Sequence, residues 1–329
     1  MKDRAPNILL TGGTRPFSLF GGVRRLRICL CNLDSLSAFS RFNFSMATQN
    51  RYLLVTGAST GIGYDAALRM AQRGFVVFAG ARREADLQAL AAQHANIRPI
   101  RLDVTSATDI AAAVRQVSQE TGGKLYALVN NAGIVKAGPV EFLPLEEWRA
   151  QMEVNLIGQI AVTQAFLPLI RAAKGRILFV SSMSGEMSSL LTGAYSASKF
   201  ALEGMLGSLR LELAPWKIQV ISIRPGRIST PIWHKSLKTS EEIEAKMPSA
   251  AFDFYGESVS RLKQIVQAAP AKATHVSKVS DAIERALISA TPGLHYRVGP
   301  DAKLGAFLLW LLPARWMFKL ILRFARKAV

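Results

Sequence analysis

Between residues 52 and 300, short apolar runs alternate with longer stretches in which apolar positions return every third or fourth residue. The runs Tyr52–Thr56, Phe75–Ala79, Ile97–Leu102, Leu125–Val129, Arg176–Ser181, Ile218–Ile223 and Leu294–Val298 have strand length. Helical patterns such as Ile62–Arg73 lie between them. Strands that are apolar on both faces have to be covered on both faces, and parallel strands joined by helices achieve this. The pattern predicts an α/β fold: a doubly wound parallel sheet of about seven strands with helices on both faces. No repeat or linker interrupts 47–300, which reads as one domain.

The flanks differ from this middle. Residues 1–46 hold no lasting helix or strand period and are expected to be an unstructured or mis-assigned extension, with Met46 as the start of the working protein. Residues 301–329 are expected to form a C-terminal amphipathic helical extension. Within Ala306–Phe324, Arg315, Lys319 and Arg323 recur every fourth residue opposite Leu, Ile, Phe and Trp, with Pro313 breaking the run. Such a helix lies in a membrane interface rather than across the bilayer, and Trp310 and Trp316 would anchor it. Docking on protein is the competing reading.

Composition narrows the function classes. The 329 residues are 50% apolar and 19% charged, a globular balance. Lys plus Arg number 41 against 23 acids, a formal +18, of which each flank nets +5 and the middle +8. The excess sits at the ends, so no nucleic-acid partner is expected. Both cysteines, Cys29 and Cys31, precede the domain, and the four histidines are scattered, so no metal site is expected.

The first predicted strand runs into Thr56-Gly57-Ala58-Ser59-Thr60-Gly61-Ile62-Gly63 and then a helix. Glycines there let backbone N–H groups approach a pyrophosphate at a helix N-terminus, with Ser59 and Thr60 adding hydroxyls. This is the mark of a Rossmann-type sheet. The second strand ends Gly80-Ala81-Arg82-Arg83, without the acid that holds an NAD ribose diol. Arg82 and Arg83 suit a 2′-phosphate, so the expected cofactor is NADP, with NAD the alternative. Asp103, followed by Val104, ends the third strand and can accept from an adenine amino group. Asn131, Ala132 and Gly133 follow the fourth.

Ser182 ends the fifth strand, and Tyr195 and Lys199 share a helix face at i, i+4. A phenol needs help to exchange protons near neutrality, and a nearby ammonium is expected to lower its pKa. Ser182 can hold a carbonyl or carbinol oxygen.

In this order, these motifs resemble the short-chain dehydrogenase/reductase family from about residue 51 to 300. The resemblance implies NAD(P)-dependent hydride transfer between an alcohol and a ketone or aldehyde. It implies a tetrad of Asn155, Ser182, Tyr195 and Lys199, in which the Asn155 carbonyl holds a proton-relaying water and Lys199 also binds the nicotinamide ribose. It adds Pro225-Gly226, Ile228 and Thr230 beside the nicotinamide. Ser208–Trp216 and Thr230–Trp233 are similar to retinol and hydroxysteroid dehydrogenases and their bacterial relatives. Two positions depart: Lys217 stands where glycine is usual, and Arg227 where an apolar residue is.

The substrate wall is expected from Ile232–Ala268, with Trp233, Met247, Phe252, Phe254 and Tyr255, and from Met183, Met187 and Leu191; an apolar substrate follows. The family also implies a homodimer or homotetramer through Glu147–Ile170 and Ala194–Leu213. The chain is expected in the cytoplasm, peripheral at a membrane surface if the C-terminal helix binds one. A cofactor-retaining epimerase or dehydratase and a non-enzymatic NADP-binding regulator are the alternatives.

Overall fold

The computed structural model describes residues 51–268 and 273–327, without the side chains of His234 and of 324–327. The expectations for residues 1–46, Met46 and both cysteines lie outside the described residues. Gln49–Val329 groups into one compact unit.

The sheet is assembled from β1 (Tyr52–Val55), β2 (Val76–Ala81), β3 (Ile97–Arg101), β4 (Ala127–Asn130), β5 (Arg176–Val180), β6 (Gln219–Pro225) and β9 (His295–Val298). Their spatial order is β3-β2-β1-β4-β5-β6-β9, and every pairing is parallel. The chain winds outward from β1 in one direction and then returns to wind the other way from β4. That reversal opens a crevice at the carboxyl ends of β1 and β4, where ligands bind in open α/β sheets. Two pieces absent from the sequence expectation, β7 (Ile228–Ser229) and β8 (Thr274–His275), pair with each other beside the main sheet.

Alternation along each strand divides the core in two. Leu53, Val55, Val77 and Ala79 face α1 (Gly61–Gln72) and α9 (Ser277–Ile288). Leu54, Phe78, Leu128 and Phe179 face α3 (Ala107–Thr121), α5 (Gly158–Ala173) and α6 (Gly193–Leu213). Each fully buried Leu or Phe contributes about 1.5–3 kcal/mol. α2 (Glu84–Ala91) adds Leu90 to the first core.

Local rules are obeyed at the helix ends. Ser106 Oγ caps α3 by accepting from Asp109 N at 3.2 Å, and Gly122 ends the same helix in the left-handed region. Lys217 takes φ +58° in the turn before β6, which explains why glycine is usual there.

α4 (Leu145–Met152), a π-helical turn (Glu153–Ile157) and α5 run on as a single helical stretch. Leu145–Ala173 is long and apolar enough to cross a membrane. Val162, Phe166 and Ile170 are nevertheless fully buried against the sheet, which accounts for its apolar character.

After β7 come α7 (Ile232–Glu244) and α8 (Ser249–Ala268), and the chain closes with α10 (Pro300–Leu311) and α11 (Ala314–Lys327). Pro313 separates the last two, so 306–324 is divided between two helices. The tail also begins inside the functional region: Asp301, in the first turn of α10, lines the crevice.

Candidate active site

The crevice at the strand ends is a cleft of about 530 Å³. Its floor is the loop between β1 and α1. Gly57 turns at φ +63°, and a Cβ there would stand 2.9 Å from Ala132 Cα. A Cβ on Gly63 would stand 2.4 Å from both Gly57 O and Asn131 Nδ2. These close approaches let Asn131 staple the loop. Its Nδ2 donates to Thr56 O at 2.9 Å and Gly57 O at 3.1 Å, while Thr56 Oγ1 accepts from the amides of Asn131 and Ala132. Ser59, Thr60, Gly61 and Ile62 then face the cleft at the amino end of α1.

At one end of the cleft stand Arg82, Asp103 and Val104. Arg82 Nη1 lies 3.6 Å from Asp103 Oδ2 and is mostly exposed. The Asp103 carboxyl is lowered because hydrogen bonds from Thr105 and the charge of Arg82 outweigh its partial burial.

Ser182, Tyr195 and Lys199 meet at the other end. Ser182 leaves β5 and caps a 3-10 turn, its Oγ accepting from Ser184 N at 3.0 Å. The Tyr195 phenol lines the same end of the cleft as the Ser182 hydroxyl. Lys199 is buried on α6, and its Nζ donates to Val180 O at 2.9 Å. Burial lowers the ammonium to about 8, against the opposing pull of the Glu203 carboxylate. Burial raises the phenol, and the neighbouring Ser182 offsets this only in part. The expected lowering of the phenol by Lys199 is therefore reversed. The ammonium is engaged by a backbone carbonyl and lies 5.9 Å from the centre of the ring.

Asn155 sits in the π-helical turn, fully buried. Its Oδ1 accepts from Ile134 N at 2.9 Å, and its Nδ2 donates to Ile134 O and Ser198 Oγ. Ser198 Oγ in turn donates to Tyr195 O. The side chain thus ties the segment after β4 to α6 at the level of Tyr195. The wide turn interrupts the α-helical ladder at this residue, as π turns at functional sites do.

Pro225, Gly226, Ile228 and Thr230 line the cleft next to Ser182. Arg227 also lines it, but its amide donates to Asp301 Oδ2 at 2.7 Å and its side chain turns half-exposed toward that carboxylate. The substrate-side wall comes from α7 and α8, through Trp233, Leu237, Leu262 and Val266, and from Met247 in the turn between them, with Met183 and Leu191 also lining the cleft. The Trp233 indole is held by Ile228 O at 2.7 Å.

Several expected residues stand elsewhere. Thr56 and Gly63 are buried beneath the loop and shape it from behind. Arg83 turns away into a two-bond pair with Asp86, because the two stand at i, i+3 across the start of α2. Phe252 and Phe254 are exposed, and Tyr255 packs on Phe142 and bonds Glu141. Met187 packs toward Gly305 of α10.

Three residues went unnoticed in the sequence. Glu203 follows Lys199 at i+4 and joins Arg224, Ser222, Glu186 and Arg297 in a network under the site. The Tyr195, Lys199, Glu203 spacing was its available signal. Lys235 lies in the segment expected to form the substrate wall but had no signal of its own, and Asp301 reaches the cleft from the tail. Among the described residues no cluster of His, Cys, Asp or Glu could hold a metal ion.

Residues 51–241 match the profile of the family described as short chain dehydrogenase. The NADPH-dependent 3-dehydrocapnine reductase of Ornithobacterium rhinotracheale is 31% identical over 284 residues, covering 84% of this chain and 98% of that one. Human retinol dehydrogenase 16 is 35% identical over 263 residues, covering 78% and 83%. The crystal structure of a short chain dehydrogenase from Burkholderia cenocepacia, in complex with NADP, shares 25% identity. It superposes with a TM-score of 0.63 over 83% of this chain and 97% of that one.

Proposed function

The chain belongs to the short-chain dehydrogenase family, and on that premise we propose that it is an NADPH-linked enzyme reducing the ketone or aldehyde of a bulky apolar substrate. It is an oxidoreductase whose cofactor is NAD(P), which supplies the hydride when bound. The cleft suits that group. Loop backbone and hydroxyls at Ser59, Thr60, Gly61 and Ile62 suit the pyrophosphate, and Asp103 with Val104 the adenine. Arg82, with no acid at the end of β2, suits a 2′-phosphate.

The observation that carries the reading is the convergence of Ser182, Tyr195 and Lys199 at the end of the cleft opposite Arg82. Ser182 holds the substrate oxygen. Tyr195, kept protonated by its raised pKa, gives that oxygen a proton. Lys199, with a value of about 8, is charged at neutral pH and is matched to returning a proton to the phenol. The Asn155 side chain holds the Ile134 main chain and the Ser198 hydroxyl, and its backbone carbonyl is the place for a relaying water. The apolar wall of Met183, Leu191, Trp233, Leu237, Leu262 and Val266 supports a bulky apolar substrate.

Two further elements belong to this reading. The C-terminal pair lies against an anionic membrane: Phe307, Trp310, Trp316 and Phe318 are exposed beside Arg315, Lys319 and Arg323. A cytoplasmic enzyme peripheral at such a surface meets apolar substrates where they dissolve. Exposed Ile157 beside α5 and Phe200 on α6 support a homodimer or homotetramer through those helices.

The deciding experiment follows NADPH consumption with a panel of retinoid, steroid and aliphatic ketones and aldehydes, repeated with NADH. Turnover with a higher kcat/KM for NADPH is expected, and an NADH preference overturns the cofactor assignment. Flotation with phosphatidylserine vesicles at low and high salt tests the membrane contact; absence of binding at low salt rejects it.

A further inference from the structure

Lys235 is the one lid residue among the described residues that hydrogen-bonds to the glycine loop through its side chain. It stands in the first turn of α7, the helix that carries Trp233 and Leu237 of the substrate wall. Its Nζ crosses the cleft and donates to Thr60 Oγ1 at 3.3 Å. With Ser59, Arg82, Arg83 and Asp86 it encloses a side cavity of about 200 Å³. Ser59, Arg82 and Lys235 line the main cleft as well, so the two spaces adjoin.

The charges in this side cavity do not cancel. Arg83 and Asp86 neutralise each other through two short hydrogen bonds. Asp103 faces Arg82 from outside the cavity at 3.6 Å. Lys235 meets a hydroxyl there, not a carboxylate. The field of both cations reaches Asp86, whose carboxyl is lowered first by Arg83 and further by Lys235 and Arg82. One cation comes from the sheet side, Arg82, which it shares with Asp103, and one from the lid, Lys235, which pairs with no acid there; Ser59 lines the same cavity. A phosphomonoester, with a charge of about −1.5 to −2 and three strong acceptor oxygens, matches this set.

We infer that Lys235 is a second ligand of the NADP 2′-phosphate, and that the phosphate thereby ties the lid helix α7 to the glycine loop. The inference rests on the NADPH reading above and adds a coupling to it. The phosphate that distinguishes NADP from NAD also orders the helix carrying Trp233 and Leu237. Cofactor choice and completion of the substrate wall are then coupled.

The test needs no turnover. Adenosine 2′,5′-bisphosphate and 5′-AMP are titrated by calorimetry into the full chain and its Lys235→Ala, Lys235→Arg and Arg82→Ala variants. Hydrogen exchange is followed across residues 232–244. Wild type is expected to prefer the bisphosphate. Lys235→Ala is expected to bind the bisphosphate about tenfold more weakly, as loss of a charged hydrogen bond implies. It should keep its 5′-AMP affinity within about twofold, and Lys235→Arg should recover most of the loss. The bisphosphate should slow exchange across α7 in wild type and not in Lys235→Ala. Unchanged bisphosphate binding in Lys235→Ala, or equal loss of both nucleotides, overturns the inference while the Arg82 assignment stands. A wild type that does not distinguish the two nucleotides overturns both.

Discussion

The two walls of the cleft are built from different material. On the sheet wall, Asn155 is fully buried, Lys199 is 4% exposed, and Ser182 and Tyr195 stand between them on the end of β5 and the start of α6. Behind them lies a partly buried network in which Glu186, Glu203, Arg224 and Arg297 share several ion pairs. The lid wall of α7 and α8 is tied to the body by the ion pair of half-exposed Lys246 with Glu147, while Lys263 to Glu244 joins α8 to α7 within the lid. Ile243 and Ala251 are its buried apolar residues. Proton transfer tolerates little error in position, so its residues stand where packing over-determines them. Substrate fit needs a wall that can open, and elements held by few buried contacts open at low cost.

The largest expected effect breaks the sheet wall chemically. Tyr195→Phe should lower kcat by about 10²–10⁴-fold with NADPH affinity within about twofold of wild type. Steady-state rates and calorimetry check this, and a variant retaining a tenth of the wild-type rate would contradict the proton-donor role.

The next concerns the cost of burial. The folded value of Lys199 is about 8 against 10.5 in the unfolded chain, so between those pH values the unfolded chain holds more protons. Stability then rises with pH across that window. Lys199→Met carries no such proton. Its stability relative to wild type should be most favourable below pH 8 and should decline by up to about 3 kcal/mol toward pH 10.5. Urea titrations of both proteins across that range measure it; a difference independent of pH removes the claim.

Gly63→Ala sharpens the contrast by steric means. Its Cβ would press on Gly57 O and Asn131 Nδ2, both at 2.4 Å. A stability loss of about 1–3 kcal/mol is expected, together with weakened binding of either dinucleotide. Thermal melts and titrations read both, and an unperturbed loop would show neither.

The smallest effect belongs to the lid. Trp233→Ala should lower kcat/KM for bulky substrates about tenfold, the scale of one apolar contact, while cofactor affinity changes little. A loss as severe as that of Tyr195→Phe would mean that the lid shares in the chemistry.

Much of this contrast is readable along the chain, and unevenly so. The strand runs are legible because burial on both faces demands unbroken apolar stretches. The glycine loop and the Tyr195–Lys199 pair are legible because a tight turn and an i, i+4 face are relations between near neighbours. The neighbouring arginines Arg82 and Arg83 look equivalent in one dimension. In space Asp86 captures Arg83 and leaves Arg82 to the cleft. The lid aromatics illustrate the same limit: Trp233 turns inward, and Phe254 turns to solvent.

By itself, then, the sequence determined the parallel α/β architecture, which follows from local periodicity, and its ordered motifs marked the glycine loop and Ser182, Tyr195 and Lys199 as the candidate site. Only the tertiary structure decided that Asn131 staples the loop, that Asp301 from the tail reaches the cleft, and that Lys235 bridges to Thr60 across 175 residues. It also set the direction in which Tyr195 and Lys199 shift. Those outcomes depend on how crossover helices return to the sheet and on how much water they exclude, and neither is a property of neighbouring residues.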